Sequence, residues 1–375
     1  MRPEIEETIF ILLFLKHRLP LLIFTTLEHI DCRNDGRGFL KHSPAQQARV
    51  TNGLDNGQQA QKRKNGGLFV TERIFMKWAV VSIFLLSVLY VHFRGKARLP
   101  FFRQLFDHSS IMAPLNIFMY MFSKVPTNTP YLPTSTFADL KILEDNWETI
   151  RDEAQGLIGL EKIRAAEKND DAGFNSFFKA GWKRFYLKWY DASHPSAEQF
   201  CPKTVALLRR TPSVKAAMFA ELAPGGTLNP HRDPFAGSLR YHLGLVTPND
   251  DRCFIEVNQQ RYSWRDGQGV VFDETYIHWA QNGCDSNRII IFCDIERPMR
   301  YRWAQAINRW LGRHMMSAAA SPNETGDETG GINKLFRFVW AAGQYRRRLK
   351  KFSKPLYMCI KFGLIIGVVL AIIYL

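Results

Sequence analysis

The stretch NPHRDPFAGSLRYHLGL, Asn229 to Leu245, decides the fold class predicted for this chain. It opens with a histidine and an aspartate two residues apart, His231 and Asp233, and continues into an apolar run typical of a core strand. Residues i and i+2 of an extended segment project to the same side, so His231 and Asp233 can bind one metal ion together. Arg240 and His242 share this spacing inside the apolar run. The stretch therefore predicts polar chemistry beside a core strand.

A third metal ligand is available 47 residues after His231, where His278 lies at the end of the predicted strand GVVFDETYIHWA. Two histidines and one carboxylate form the facial triad of non-haem Fe(II) oxygenases, which leaves positions on the metal open. An HxD motif or a single histidine is common by chance, so the prediction rests on their combination. We predict that His231, Asp233 and His278 are the catalytic, metal-binding residues and that Fe(II) is the metal.

An arginine opens the next apolar run, RIIIFCDI, ten residues after the last predicted metal ligand. Strand alternation places Arg288 on one face with Ile290 and Phe292. A buried arginine is costly unless it meets an anion. Its planar fork suits a carboxylate such as the far end of 2-oxoglutarate. We therefore predict Arg288 as a cosubstrate-binding residue, with Arg240 and His242 as further donors to the same acid.

Short apolar or alternating runs continue from 215 to 300 and are separated by the turn sequences PGG, TPNDD and RDGQG. This pattern is typical of an antiparallel β sandwich or barrel. The preceding region, 94–214, is predicted to be membrane-proximal and helical. The following region, 301–355, is predicted to be a linker and a basic helix.

Two segments are apolar enough to cross a membrane. They are MKWAVVSIFLLSVLYVHF at 76–93 and LYMCIKFGLIIGVVLAIIYL at 356–375, each close to the ~20 residues that a bilayer core requires. Buried core helices are the alternative. Basic clusters at 94–98 and 346–354 lie on the side of the intervening domain. The positive-inside rule therefore predicts two terminal transmembrane helices that hold a cytoplasmic domain.

The first 75 residues do not fit this plan. The apolar run IFILLFL is broken at once by Lys16, His17 and Arg18, and 34–67 is polar and low in aromatic residues, as in disordered segments. A basic cluster at 62–64 would also lie on the non-cytoplasmic side of the first span. We expect the native chain to begin at Met76 and 1–75 to be disordered or an artefact of an upstream start; a genuine variable extension is the alternative.

The charge of the chain predicts an anionic partner. Its 375 residues include 50 lysines and arginines against 35 aspartates and glutamates, a net charge of +15. Nucleic acid and anionic lipid head groups both fit this charge, and the two apolar spans favour the lipid. The six cysteines are scattered without a CxxC pair, which argues against a disulfide framework or zinc site and fits a reducing compartment.

Three stretches resemble the aspartyl/asparaginyl β-hydroxylase family: HRDPFAGSLRYHLGL, GQGVVFDETYIHWAQN and RIIIFCDIERPMR. The similarity is greater to its membrane-bound bacterial branch, the lipid A acyl-chain hydroxylases. With that branch it runs from about Met76 to the C terminus and includes YVHFRGKARLPFFRQLFDHS. Residues 1–75 are not covered.

The resemblance implies a specific fold and cofactor set. The expected fold is mainly β with flanking helices, a double-stranded β-helix (jelly-roll, cupin-like) at 215–300 between the two terminal spans. The implied reaction consumes Fe(II)-bound 2-oxoglutarate and O2. Within the family, His231 and His278 match metal ligands, Arg288 matches the 2-oxoglutarate arginine, and Arg240 and His242 match further cosubstrate contacts.

The resemblance also implies a substrate, which is the C2 position of an acyl chain of lipid A at the cytoplasmic face of a bacterial inner membrane. A membrane-anchored aspartyl/asparaginyl protein hydroxylase is the alternative. In protein-modifying members the carboxylate ligand can be a glycine, whereas this chain has Asp233. A non-catalytic membrane scaffold is a third interpretation, against which the intact triad and Arg288 argue.

Overall fold

The computed structural model describes residues 75–105, 107–165, 171–360, 363 and 367. Its named α-helices are α1 (Phe75–Phe93), α2 (Phe101–Leu105), α3 (His108–Ile111), α4 (Ala113–Met121), α5 (Lys141–Asp145), α6 (Trp147–Gly159), α7 (Pro195–Phe200), α8 (Pro202–Arg209), α9 (Arg302–Leu311) and α10 (Gly331–Phe352). Its strands are β1 (Tyr131–Leu132), β2 (Trp182–Trp189), β3 (Val214–Leu222), β4 (Thr227–His231), β5 (Ser238–Val246), β6 (Cys253–Val257), β7 (Gln260–Ser263), β8 (Gly269–Phe272), β9 (His278–Asn282) and β10 (Arg288–Glu296).

The strands form two antiparallel sheets. One has the order β1-β8-β5-β10-β3-β2 and the other β4-β9-β6-β7. From β3 to β10 the chain passes back and forth between the sheets, apart from the β6–β7 hairpin. This is the strand order of an eight-stranded jelly roll. The predicted mainly β fold with flanking helices and a jelly-roll core is confirmed.

The larger sheet is buried on both faces. Its outer face packs against α5, α6 and α8 through side chains such as Leu143, Ile150 and Leu208. Its inner face meets the smaller sheet, which contributes Leu228 and Ile255 to a second core. Burial on both faces explains why β3, β5 and β10 are almost continuously apolar instead of alternating with polar residues.

Alternation along β5 divides its side chains between these two cores. Tyr241 and Leu243 point toward the helices, and Arg240 and His242 line the space between the sheets. A one-residue shift in register would reverse this assignment. The polar residues of the opening stretch therefore lie inside the jelly roll because the strand register puts them there.

The sheet begins earlier than predicted. Region 94–214, predicted to be helical, also contains the strands β1 and β2. The sequence of β2, WKRFYLKW, has three basic residues that mask its β pattern. Arg184 is nevertheless buried, and its Nε donates to Asp171 at 2.9 Å. An ion pair inside the protein thus allows a charged residue to occupy a strand.

The predicted linker in 301–355 is a packed segment that covers the free edge of β2. The side-chain amide of Asn323 accepts from the Tyr186 backbone N–H at 2.7 Å and donates to its carbonyl at 2.8 Å. Ser321 accepts from Arg184 at 2.9 Å. An exposed edge strand is a site of unwanted pairing, so these contacts stabilise the edge in place of a further strand.

The described residues contain one helix, α1, that is long and apolar enough to span a membrane. Its mean hydropathy is 1.7, and most of its apolar side chains, including Trp78 and Leu86, are exposed to solvent. Among the described residues, 75–94 and 98–117 form one unit, which is separate from the unit that contains the jelly roll. The second predicted span, 356–375, lies mostly outside the described residues, and so does 1–74.

Candidate metal centre and cosubstrate cleft

Two histidines face each other across neighbouring strands of the smaller sheet. His231 ends β4, His278 begins β9, and the two are directly paired in the antiparallel register. Their imidazole rings are 4.2 Å apart, centroid to centroid. His278 is buried, whereas His231 is half-buried at the rim. Antiparallel pairing therefore joins two residues that are far apart in the sequence.

Both histidines are held in the tautomer that a metal requires. Nδ1 of His231 lies 2.7 Å from the carbonyl oxygen of Asn229, and Nδ1 of His278 lies 2.9 Å from that of Tyr276. A carbonyl only accepts, so each Nδ1 carries the proton and each Nε2 presents its lone pair on the opposite side of the ring. Burial, and then neighbouring His231, lower the pKa of His278 to about 3, so this imidazole is neutral near pH 7.

Asp233 completes a three-ligand group. Its Oδ1 lies 3.7 Å from Nε2 of His231 and 3.9 Å from Nε2 of His278. One ligand atom from each of the three residues lies within 4.8 Å of the other two. A metal with bonds of ~2.0–2.2 Å, as zinc forms with nitrogen and oxygen, would draw these atoms closer together. The donor set, two imidazoles and one carboxylate, is that of a facial triad.

The second oxygen of Asp233 is held by Arg240. The Arg240 guanidinium donates to Oδ2 of Asp233 at 2.5 Å and through Nε to Glu274 at 2.6 Å. It also pairs with Asp294 at 3.3 Å, and Ser238 donates to Glu274 at 2.6 Å. Arg240 is thus surrounded by carboxyl groups, and its contact with Asp233 turns the other carboxylate oxygen toward the histidines.

The charges of this network are unevenly distributed. Burial alone would raise the pKa of Asp233, but the Arg240 guanidinium holds it below its ordinary value. Burial raises the pKa of Glu274 well above the ordinary range and also raises that of Asp294. The arginine therefore compensates mainly the carboxylate that faces the histidines.

Arg288 has a different environment from Arg240. It is buried on the inner face of β10, and its guanidinium lies 4.4 Å from the ring centroid of Trp264. No ion pair with a described carboxylate forms, and its buried Nε and Nη1 have no hydrogen-bond partner among the described residues. Burial lowers the pKa of Arg288 to about 10, so the side chain remains charged at neutral pH. This cation requires an anion.

His242 lines the same cleft as Arg240 and Arg288 and is influenced by the charge of both. Both of its ring nitrogens are buried without a hydrogen-bond partner in the part of the chain that the structure describes. Its ring stacks on Phe292 with centroids 5.2 Å apart. Burial, and then Arg240 and Arg288, lower its pKa well below the ordinary value. The neutral ring thus offers one donor and one acceptor to a ligand in the cleft.

All six predicted site residues line one cleft between the sheets: His231, Asp233, Arg240, His242, His278 and Arg288. The rest of its lining is apolar or aromatic: Phe174, Phe177, Trp182, Leu228, Ile255, Trp264, Phe272, Ala280, Ile290 and Phe292. Phe177 packs edge-on against the ring of His231, with centroids 4.9 Å apart. The cleft therefore places metal-ligand atoms, and an Arg288 cation that has no carboxylate partner in the described part of the chain, beside an apolar wall that suits a hydrocarbon.

The sequence prediction did not include three contributors. Glu274 and Asp294 bind Arg240, and Phe177 comes from the region before β2. Glu274 lies within DET, a polar triplet directly after the apolar strand β8, which is a usable signal for a buried polar cluster. The aromatic cluster GFNSFF around Phe177 gives no comparable indication of its neighbours, because its contacts are all tertiary.

Part of the chain is similar to known proteins. Residues 144–298 match the profile of the family described as aspartyl/asparaginyl beta-hydroxylase. The ornithine lipid ester-linked acyl 2-hydroxylase of Rhizobium tropici is 31% identical over 179 residues, 46% of this chain and 62% of that protein. The human aspartyl/asparaginyl beta-hydroxylase is 30% identical over 164 residues, 42% of this chain and 21% of that protein.

The chain thus spans less than two thirds of the length of these relatives. Among solved structures, a Pseudomonas putida prolyl-4-hydroxylase aligns over 44% of this chain and 100% of its own, with a TM-score of 0.30 and 13% identity. The family match covers the strands that carry all six site residues. The chain therefore resembles the aspartyl/asparaginyl β-hydroxylase family over residues 144–298.

Proposed function

We propose that this chain is an Fe(II)- and 2-oxoglutarate-dependent hydroxylase that acts on an acyl chain of a membrane lipid, with the C2 position of a lipid A acyl chain as its acceptor. One observation carries the proposal. Arg288, a buried cation without a carboxylate partner among the described residues, lies in the same cleft as a two-histidine, one-carboxylate ligand group. A dicarboxylate that also chelates the metal satisfies both features.

The residues present fit these two cofactors. His231, Asp233 and His278 would hold the metal, since one ligand atom from each lies within 4.8 Å of the other two. Arg288 would bind the carboxylate of 2-oxoglutarate that lies far from the metal. His242 would donate a hydrogen bond to one of the two carboxylates of 2-oxoglutarate. When bound, Fe(II) and 2-oxoglutarate supply an O2-derived oxidant for unactivated C–H bonds, with succinate and CO2 as coproducts.

The protein's own contribution is binding, orientation and exclusion of water. The Nδ1 hydrogen bonds fix the two imidazoles, and Arg240 fixes the carboxylate. The aromatic wall that includes Phe174, Phe177 and Trp182 excludes water from the side of the cleft beside His231. Such a wall suits a hydrocarbon chain better than a charged side chain of a protein substrate.

The lipid substrate is supported by three independent features. The Rhizobium relative is described as hydroxylating an ester-linked acyl chain of a lipid. Helix α1 has the length and hydropathy of a membrane span. Arg94, Lys96 and Arg98 follow it directly, which favours a cytoplasmic orientation for the domain that comes next. Inner-membrane attachment would bring the cleft to a lipid that does not leave the bilayer.

Replacing Arg288 by lysine is expected to raise the 2-oxoglutarate requirement by roughly 10- to 100-fold, the equivalent of one or two charge-assisted hydrogen bonds. Lysine keeps the charge but loses the planar fork, so turnover at saturating cosubstrate should change little. Succinate formation measured against 2-oxoglutarate concentration gives both values. Arg261→Lys, on the exposed β7, is the matched control. An unchanged 2-oxoglutarate requirement would mean that another residue, first of all Arg240, binds the far carboxylate of the cosubstrate.

Expression of the chain in bacteria that make lipid A is expected to add one oxygen atom to a lipid A acyl chain. Mass spectrometry of extracted lipid A, with fragmentation to locate the hydroxyl group, measures this. Cells that express the His278→Ala protein are the control for background hydroxylation. An oxygen gained on ornithine lipid alone would support a lipid hydroxylase but would show that lipid A is not the acceptor. A hydroxylated protein with unchanged lipids would reject the lipid proposal in favour of a protein hydroxylase.

A further inference from the structure

Helix α9 is amphipathic, and part of its apolar surface faces solvent. Ala304, Asn308 and Leu311 are buried against the jelly-roll unit. A neighbouring stripe at helical spacing consists of Trp303, Ile307 and Trp310, which are 51%, 40% and 48% exposed. Two exposed tryptophans on one helix face represent a large apolar area in contact with water, which soluble surfaces rarely present without a function.

The exposed stripe is part of a wider aromatic surface. The ring of Tyr301 stacks on Trp303 with an interplanar angle of 10°. Phe118 and Phe122 pack against the same tryptophan at 5.9 and 4.8 Å. Met121, beside them, is 64% exposed. We call the exposed members the aromatic patch: Met121, Tyr301, Trp303, Ile307 and Trp310.

Cations border the aromatic patch. Lys124, Arg300, Arg302, Arg309 and Arg313 lie on or beside its elements, and all five are exposed. Two carboxylates, Glu296 and Asp191, pair with Arg309 and Arg313. The remaining three cations give the border a net positive charge.

Tryptophan, tyrosine and arginine together indicate one kind of partner. Tryptophan and tyrosine rings are enriched at the level of lipid head groups, where an apolar body and a polar tip are both accommodated. Each arginine near an anionic surface strengthens binding through its attraction to the phosphates. A helix with this composition lies in the plane of the interface, with its apolar face inserted.

We propose that the aromatic patch on α9 inserts into the interface of a bilayer rich in anionic phospholipid, as a contact additional to any transmembrane anchor. The tryptophans and Ile307 lie at the acyl boundary, and the bordering arginines lie at the phosphates. The proposal goes beyond the hydroxylase function and does not require it, since any protein with this surface would make the same contact.

The test is a site-specific depth measurement on the full chain, with Cys32 and Cys359 replaced by serine. A nitroxide label is attached at Ile307→Cys, and a matched label at Glu148→Cys, an exposed position on α6. Both proteins are reconstituted into vesicles of phosphatidylethanolamine and phosphatidylglycerol. We expect the label at 307 to collide several-fold more with O2, relative to a water-soluble nickel chelate, than the label at 148.

Two further arms make the result decisive. Vesicles of phosphatidylcholine alone, or the change Arg302→Glu in anionic vesicles, should reduce the O2 preference at 307 and leave position 148 unchanged. Equal nickel access at both positions in anionic vesicles would overturn the proposal. Protection at 307 that is the same in detergent micelles and rises with protein concentration would assign the face to a second copy of the chain, and would also overturn it. Neither outcome depends on enzymatic activity.

Discussion

The His278→Ala protein is expected to lose Fe(II) binding and hydroxylation together. The substitution removes one of three ligands and leaves a half-buried histidine and a carboxylate that Arg240 already holds. Loss of an outer-shell partner costs roughly 10- to 100-fold in metal affinity, and loss of a direct ligand should cost more than that. Anaerobic reconstitution followed by determination of bound iron measures the first effect, and succinate production measures the second.

The control is His314→Ala, which removes an exposed histidine outside the cleft. It should bind one iron per chain and turn over normally. Both proteins should unfold at similar temperatures without metal, since β9 keeps its ladder to β4 and β6. Full iron occupancy in the His278→Ala protein would refute the assignment of His278 as a ligand, whatever its activity.

Much of the cleft was predictable because it follows from strand alternation. Arg288, Ile290 and Phe292 were predicted to share a face of one strand, and all three line the cleft. The same rule placed Arg240 and His242 together. Period-two alternation is local, so a single sequence contains it. The face of β10 that points into the cleft is also predictable, since a buried arginine such as Arg288 needs an anion.

The environment of Arg240 was not predictable in the same way. The sequence assigned it to the cosubstrate, but its guanidinium is bound by Asp233, Glu274 and Asp294. These partners come from the loop after β4, the turn before β9 and the central strand β10. Their meeting depends on sheet register and on loop paths, neither of which is encoded by local spacing. We propose that Arg240 is a positioning residue for the metal carboxylate.

The edge strand β2 was missed for a related reason. Its basic residues contradict the usual strand pattern, and the partner of Arg184 lies in a segment before the strand. Asn323, which covers the free edge, lies 137 residues away. The local sequence predicts a helical region around β2 and a linker around Asn323. In the structure, long-range polar contacts join these two segments at one edge of the sheet.

Replacing Arg240 by methionine is expected to destabilise the protein by roughly 3–5 kcal/mol, the cost of leaving a buried ionic group without its partner. Asp233 and Glu274 both lose their guanidinium donor. Asp233 also loses the contact that orients Oδ1 toward the histidines, so iron affinity should fall by roughly 10- to 100-fold. Chemical denaturation of the metal-free protein and an anaerobic iron titration measure the two effects.

A second substitution separates the two roles of Arg240. Glu274→Gln in the Arg240→Met protein replaces one of the two carboxyl groups that lost their guanidinium donor by a neutral amide, and it leaves Ser238 a side-chain acceptor. Stability should therefore recover in part. Iron affinity should not recover, because Asp233 still lacks the donor that holds its second oxygen. Recovery of both properties would mean that Arg240 acts only by neutralising buried charge. A different outcome is that the single Arg240→Met protein keeps wild-type iron affinity and shows only a raised 2-oxoglutarate requirement. That result would assign Arg240 to cosubstrate binding.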